Sequence, residues 1–181
     1  MRERSAMVKS ARDLVAEANA AVDRLTVEEA KGLVGRDDVV FVDVRETKEL
    51  ETQGKVPGAV HAPRGLLEFH ADPASPYHKP ELASGRRLVV YCGSGARSAL
   101  AAKTLKDMGV ENVANMQGGF TAWRDSGGEV EPGQATLAAE MALRERIEPA
   151  LDELRIDVVL HGRGSPLSPI GRIAVRDGVP L

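Results

Sequence analysis

Cysteine is almost absent. The 181-residue chain has one, Cys92, so no disulfide can form within it and a cysteine-stapled scaffold is excluded. Aromatic residues make up only 3%, too few for the stacking platforms that hold single-stranded nucleic acid. A large excess of one charge is missing too: the formal net charge is −3, without the basic surface of a nucleic-acid binder. No apolar run approaches the roughly 18 residues needed to span a bilayer. Residues 1–10 are charged and lack the apolar stretch of a secretory signal. These absences predict a cytoplasmic protein that binds neither nucleic acid nor membrane. What is present is ordinary for a globular domain: 43% hydrophobic and 28% charged residues, in a chain long enough for one domain plus extensions.

Met7, Ala11, Leu14, Val15, Ala18, Val22 and Leu25 recur at helical spacing and predict one amphipathic N-terminal helix, a packing or dimerisation surface. Thr26 with Glu29 three residues on has capping-box spacing and starts a second helix, which Gly35 should stop. The pattern then changes. Residues 39–44 (Val-Val-Phe-Val-Asp-Val) form a β-branched run of the kind buried on both faces in a parallel sheet. Residues 87–92 are a second such run, and 59–62 and 113–116 are shorter candidates. Helix-like stretches at 46–53, 65–70, 97–108 and 120–125 alternate with them, which predicts an α/β fold with a mostly parallel sheet. Gly109 ends the longest helix, and Pro73, Pro76 and Pro80 mark a surface loop. Gly127-Gly128 and Pro132-Gly133 should close the compact part. Beyond them Ala139, Leu143, Ile147, Ala150, Leu151 and Leu154 form another helical stripe, which Pro149 should kink. Ile173-Ala174-Val175 in the Pro- and Gly-containing tail has the look of an edge strand. The expected organisation is a helical extension over 1–25, an α/β domain over 26–131, and a helical extension with a tail over 132–181.

The chemistry concentrates in Cys92-Gly93-Ser94-Gly95-Ala96-Arg97-Ser98, where a buried strand gives way to a helix. Ligands of open α/β sheets bind at the carboxyl ends of strands. Glycines and small residues let the backbone curl and turn successive N–H groups inward. The helix that follows adds its positive end, and Arg97 a permanent cation. Such a cradle suits an anion centred on sulfur. An unperturbed thiol is only a few per cent thiolate at neutral pH. Lowering its pKa by about two units needs roughly 2.7 kcal/mol of preference for the anion. A helix end supplies up to about 2 kcal/mol of this, and the loop N–H groups and Arg97 the rest.

Four separated motifs, in order, make residues 25–130 resemble the rhodanese family: Val42-Asp43-Val44-Arg45-Glu46, then Val56-Pro57-Gly58-Ala59-Val60-His61-Ala62-Pro63, then Val90-Tyr91-Cys92 with its loop, then Met116-Gln117-Gly118-Gly119-Phe120-Thr121-Ala122-Trp123. The resemblance implies a three-layer fold with a five-stranded parallel sheet, order 1-5-4-2-3, and helices on both faces. It also implies a sulfurtransferase in which Cys92 takes sulfane sulfur as a persulfide, held by Gly93, Ser94, Gly95, Ala96, Arg97 and Ser98. A thiol, cyanide or a protein cysteine then removes the sulfur, with no metal or organic cofactor. In relatives the arginine at the position of Arg45 lies by the active site. Arg45 is therefore expected on the donor's negative charge, as an anchor of the loop, or in an ion pair that holds the first buried strand to its neighbours. Asp43 and Glu46 are expected to be structural, Pro57-Gly58 a turn, Gly118-Gly119 a device for close packing, and Trp123 core. His61, His70, His78 and His161 have no metal-like spacing, and His61 is assigned to packing or solvent.

Two departures bear on substrate. Thiosulfate-specific relatives often carry basic residues inside the loop, whereas Gly93, Ser94, Gly95 and Ala96 are neutral. The Cys-Gly-Ser-Gly start resembles mercaptopyruvate sulfurtransferases, which have two such domains. The expected donor is thus a small sulfur compound, thiosulfate-like or mercaptopyruvate-like. Two rival readings stand beside transfer: a sulfur carrier or partner-binding module without turnover, and a phosphatase or arsenate reductase. Dual-specificity phosphatases of this fold have five residues between Cys and Arg; here there are four, a loop too tight for phosphate. The extra helices are expected to serve docking or homo-oligomer formation.

Overall fold

The computed structural model describes residues 8–139, 141 and 142. Its sheet is built from β1 (Asp23–Leu25), β2 (Val39–Asp43), β3 (Val60–His61), β4 (Arg87–Tyr91) and β5 (Val113–Met116). The order is β1-β5-β4-β2-β3, every pairing parallel, as the resemblance implied. The helices are α1 (Ala11–Ala21), α2 (Val27–Lys31), α3 (Thr47–Gln53), α4 (Leu67–Ala71), α5 (Ala96–Asp107) and α6 (Gly119–Asp125). Alternation along the central strands divides the core in two. Val40, Val42, Leu88, Val90 and Val113 face α4 and α5. Phe41, Val89, Tyr91 and Met116 face α2 and α6, where Trp123 is buried as expected. The β-branched runs read as doubly buried strands are indeed covered on both faces.

Three expectations are corrected. The stripe from Met7 to Leu25 does not lie on one helix: α1 ends at Ala21, Val22 is extended, and Leu25 sits in β1, paired with Met116. The outer edge of β5 needs a hydrogen-bonding partner, and that need overrides the helical spacing. The sheet therefore begins before residue 26, where the domain was expected to start. Helix α2 stops at Lys31, well short of Gly35, whose φ of +78° serves the turn into β2. Residues 132 and 133, expected to lie beyond the α/β domain, stay against it. Glu131 bridges Lys55 through two backbone hydrogen bonds of 2.9 Å. An added Cβ at Gly133 would collide with the Leu50 and Glu51 carbonyl oxygens. A helix follows from residue 134. The expected stripe beyond Ala139, the kink at Pro149, the strand at Ile173–Val175 and His161 lie outside the described residues.

Candidate active site

The parallel sheet brings the ends of β2, β4 and β5 to one edge, and Cys92 is the first residue beyond β4. It is buried, 1% exposed. Gly95 caps α5 with a φ of +97°, and its missing side chain admits Gly118 N, which would lie 3.2 Å from a Cβ. That turn aims loop donors at the sulfur. The Gly95 N–H donates to Cys92 Sγ at 3.2 Å, and Ser98 Oγ lies 3.4 Å from it. Burial alone would push the thiol up. The Ser98 hydroxyl and the N–H groups of Ser98, Gly95 and Ser94 outweigh it and hold the thiol below its ordinary value. A shift in this direction favours the thiolate, the nucleophilic form of a cysteine. The carbonyls of the loop are drawn the other way: Phe120 N–H donates to Cys92 O at 2.7 Å, and Thr121 N–H to Gly93 O at 3.0 Å. Gly118 and Gly119, with φ of +73° and +59°, allow this approach of α6.

The structure gathers Cys92, Gly93, Ser94, Gly95 and Ser98 around one sulfur. Ala96, exposed at the start of α5, lies with Ser94 and Gly95 along a cavity on the α1 side. Arg97 stands at the rim, beside Gly93, but it is not free. Its guanidinium forms a two-pronged pair with Glu49 of α3, at 2.7 and 2.8 Å. Hydrogen bonds from Arg97 push the Glu49 carboxyl down to about 2.

Arg45 is held in an ion pair with Asp43. Its side chain is fully buried, bonded to Asp43 (2.7 Å, Nη2 to Oδ2) and to the Gly54 carbonyl (2.7 Å), with its charge 3.9 Å from the Phe120 ring centre. The ion pair ties β2 to the end of α3 and the start of α6, because residues 43 and 45 share one side of the chain. His61 donates from Nε2 to the Arg45 carbonyl at 2.9 Å, which matches a packing role. Glu46 caps α3.

Three residues of the site escaped sequence reasoning. Glu49 reads as part of a capping box, and it does accept the Glu46 N–H at 3.0 Å; its pairing with Arg97 is purely tertiary. Asn115 hydrogen-bonds the Ser98 hydroxyl at 2.7 Å, and Asn19 bonds Asn115 at 3.0 Å. A polar residue inside the short apolar strand β5 was the available signal. Among the described residues no group of three or more His, Cys, Asp and Glu could hold a metal, and no helix is long and apolar enough to cross a membrane.

Comparison with known proteins agrees with this geometry. A rhodanese-like domain is matched over residues 26–126. A sulfurtransferase of Allochromatium vinosum is 36% identical over 95 residues, 52% of this chain and 80% of that protein. Two longer curated relatives, from Mus musculus and Bacillus subtilis, are spanned over 66% and 51% of their length. Among solved structures, a Rhodopseudomonas palustris protein of unknown function, described as a possible tyrosine phosphatase, is 45% identical. It matches with a TM-score of 0.67, over 72% of this chain and all of its own. The polysulfide-sulfur transferase homodimer of Wolinella succinogenes is 31% identical, with a TM-score of 0.51, over 65% of this chain and 84% of its own. With the sheet order, the four motifs and a cysteine loop at the carboxyl edge all in agreement, this chain belongs to the rhodanese-like family, a sulfurtransferase family.

Proposed function

We propose that the protein moves sulfane sulfur from a small donor, through a persulfide on Cys92, to a thiol or to cyanide. The observation that carries this reading is the buried Cys92 sulfur, which accepts the Gly95 N–H at 3.2 Å and lies 3.4 Å from the Ser98 hydroxyl. With thiosulfate, the thiolate attacks the outer sulfur. The new S–S bond forms as the old one breaks, and sulfite leaves with its electron pair. Cyanide then attacks the terminal sulfur of the persulfide, leaving as thiocyanate and restoring the thiolate. Loop N–H groups placed for one anionic sulfur serve both the thiolate and the persulfide. Cys92, Gly93, Ser94, Gly95 and Ser98 thus form the reaction centre and Arg97 its rim, with no cofactor in either step. The partners follow: a small sulfur donor, a protein thiol as acceptor, and a second copy of the chain through the extra helices. A composition of 28% charged residues fits work in the cytoplasm.

The test is an intact-mass spectrum after thiosulfate, then after mercaptopyruvate, beside Cys92→Ala. A gain of one sulfur atom is expected, lost on adding cyanide and absent in the variant. No gain with either donor would favour a carrier loaded by a dedicated partner.

The phosphatase reading has one comparison in its favour, the Rhodopseudomonas palustris structure. Against it stand the four-residue spacing between Cys92 and Arg97 and the engagement of Arg97 by Glu49. Aryl phosphate hydrolysis that depends on Cys92 would establish it. The same pair bears on donor choice. Because the Glu49 carboxyl titrates at about 2, it stays ionised and holds Arg97 at every working pH. Protonating Glu49 would need acid far below neutrality, so no acid limb from it is expected between pH 5 and 8. Glu49→Gln should release the cation toward the doubly charged thiosulfate. A gain of about 1 kcal/mol, roughly fivefold in kcat/KM, is expected and should fade with added salt. Steady-state rates at two ionic strengths check it.

A further inference from the structure

Behind Cys92, hydrogen bonds lead out of the loop and end on α1. Ser98 and Asn115 are both buried. Ser98 Oγ lies 2.7 Å from Asn115 Oδ1 and 3.4 Å from Cys92 Sγ. The Asn115 amide nitrogen donates to the Gly95 carbonyl at 3.1 Å and to Asn19 Oδ1 at 3.0 Å. Counting donors fixes the direction of this chain. A carbonyl oxygen only accepts, so the amide nitrogen of Asn115 must face Gly95 and its oxygen must face Ser98. A hydroxyl has one proton to give. At these distances Ser98 gives it to Asn115 and turns a lone pair toward the sulfur. That arrangement suits a neutral thiol, whose S–H can point at Ser98. An anionic sulfur wants the hydroxyl proton for itself.

We propose that Asn115, held by Asn19 of the N-terminal helix, is a positioning residue that competes with Cys92 for the Ser98 proton and so governs when the sulfur becomes anionic. When the thiol proton departs to water, the Ser98 O–H swings to the sulfur and the buried Asn115 oxygen loses its partner, which opposes ionisation. Donation by the Asn115 amide to Asn19 strengthens the pull of its oxygen. Asn19 lies outside residues 26–126, so this control comes from a segment the family match does not include. Asn19 and Asn115 also line, with Ser94 and Gly95, a cavity of about 280 Å3 behind the loop. Among the described residues, the charged groups near Cys92 are Arg97 of α5, paired with Glu49 of α3 and close to Glu46. Arg24 of β1 lies along the cavity. The variants below change none of them.

The inference rests on Cys92 being the nucleophile, but its test needs no sulfur donor. The rate of Cys92 alkylation by iodoacetamide is followed against pH in the full chain by intact mass. Asn115→Ala should lower the midpoint by about 0.5 to 1 unit, one ordinary hydrogen bond converted to pH. Asn19→Ala should lower it by less. In a Ser98→Ala background both shifts should vanish, since neither asparagine then has a proton to compete for. Shifts that persist without Ser98, or a midpoint unmoved by either variant, would overturn the proposal. Should Asn115→Ala not fold, the half-buried Asn19 decides alone, with and without Ser98→Ala. A protein that fails to load sulfur yet shows these shifts would separate this inference from the proposed function.

Discussion

Asp43→Ala is expected to destabilise the protein by about 3–5 kcal/mol, a large part of the stability of an ordinary domain. Asp43 and Arg45 are both fully buried, and the carboxylate takes three hydrogen bonds from the guanidinium, at 3.0, 3.1 and 2.7 Å. Its Oδ1 also accepts the Arg45 backbone N–H at 3.0 Å. Removing the carboxylate leaves a cation out of water with no anion in its place, facing the Gly54 carbonyl, Gln53 and the Phe120 and Tyr91 rings. Replacing both partners with apolar residues of nearer volume, Asp43→Val with Arg45→Met, should recover most of the loss, because no charge is then stranded. Urea unfolding of the three proteins is the measurement. A single variant that unfolds with the wild-type midpoint would contradict the pair's role.

Gly119→Ala is expected to slow persulfide loading by about 100-fold, the scale on which displacement by about 1 Å acts. The residue has a φ of +59°, and an added Cβ would run into the Cys92 carbonyl oxygen and lie 2.8 Å from Gly93 C. Helix α6 would have to retreat, and the Cys92 and Gly93 carbonyls would lose the N–H groups of Phe120 and Thr121 that hold them outward. Carbonyls free to turn would then compete for the space the inward N–H groups occupy. Gly127→Ala is the control. Its φ is +77°, but nothing lies within 4 Å of its added Cβ. It should cost about 1 kcal/mol of strain and leave loading unchanged. Stopped-time mass spectra of the two variants check both expectations.

The sequence made the centre of this molecule legible and left its joins hidden. Strands β2 and β4 stood out because doubly buried strands are continuous apolar runs, and the cysteine loop because glycines mark a backbone bent around something. Strand β1 did not stand out. Asp23-Arg24-Leu25 has no strand pattern, and only the open side of β5 makes it one. The direction of Arg45 was equally hidden, because the motif gives its place on the chain but not the partner that consumes its charge. Glu49 meets Arg97 across 48 residues and Asn19 meets Asn115 across 96, and no local periodicity encodes such meetings. The site was therefore readable as to which atom reacts, while its electrostatic setting came from contacts that exist only once the sheet has formed.

The shortness of β1 and β3 has a consequence for solubility. An exposed sheet edge offers unpaired N–H and C=O groups to any passing extended chain. Among the described residues the three long, apolar strands are all interior, and the two edges are strands of three and two residues carrying Asp23 and Arg24 on one side and His61 on the other. Such edges give an incoming strand too few bonds to hold it and set charge or a polar ring in its way. A sheet whose middle strands are largely apolar is thus protected at its margins from growing into a neighbour.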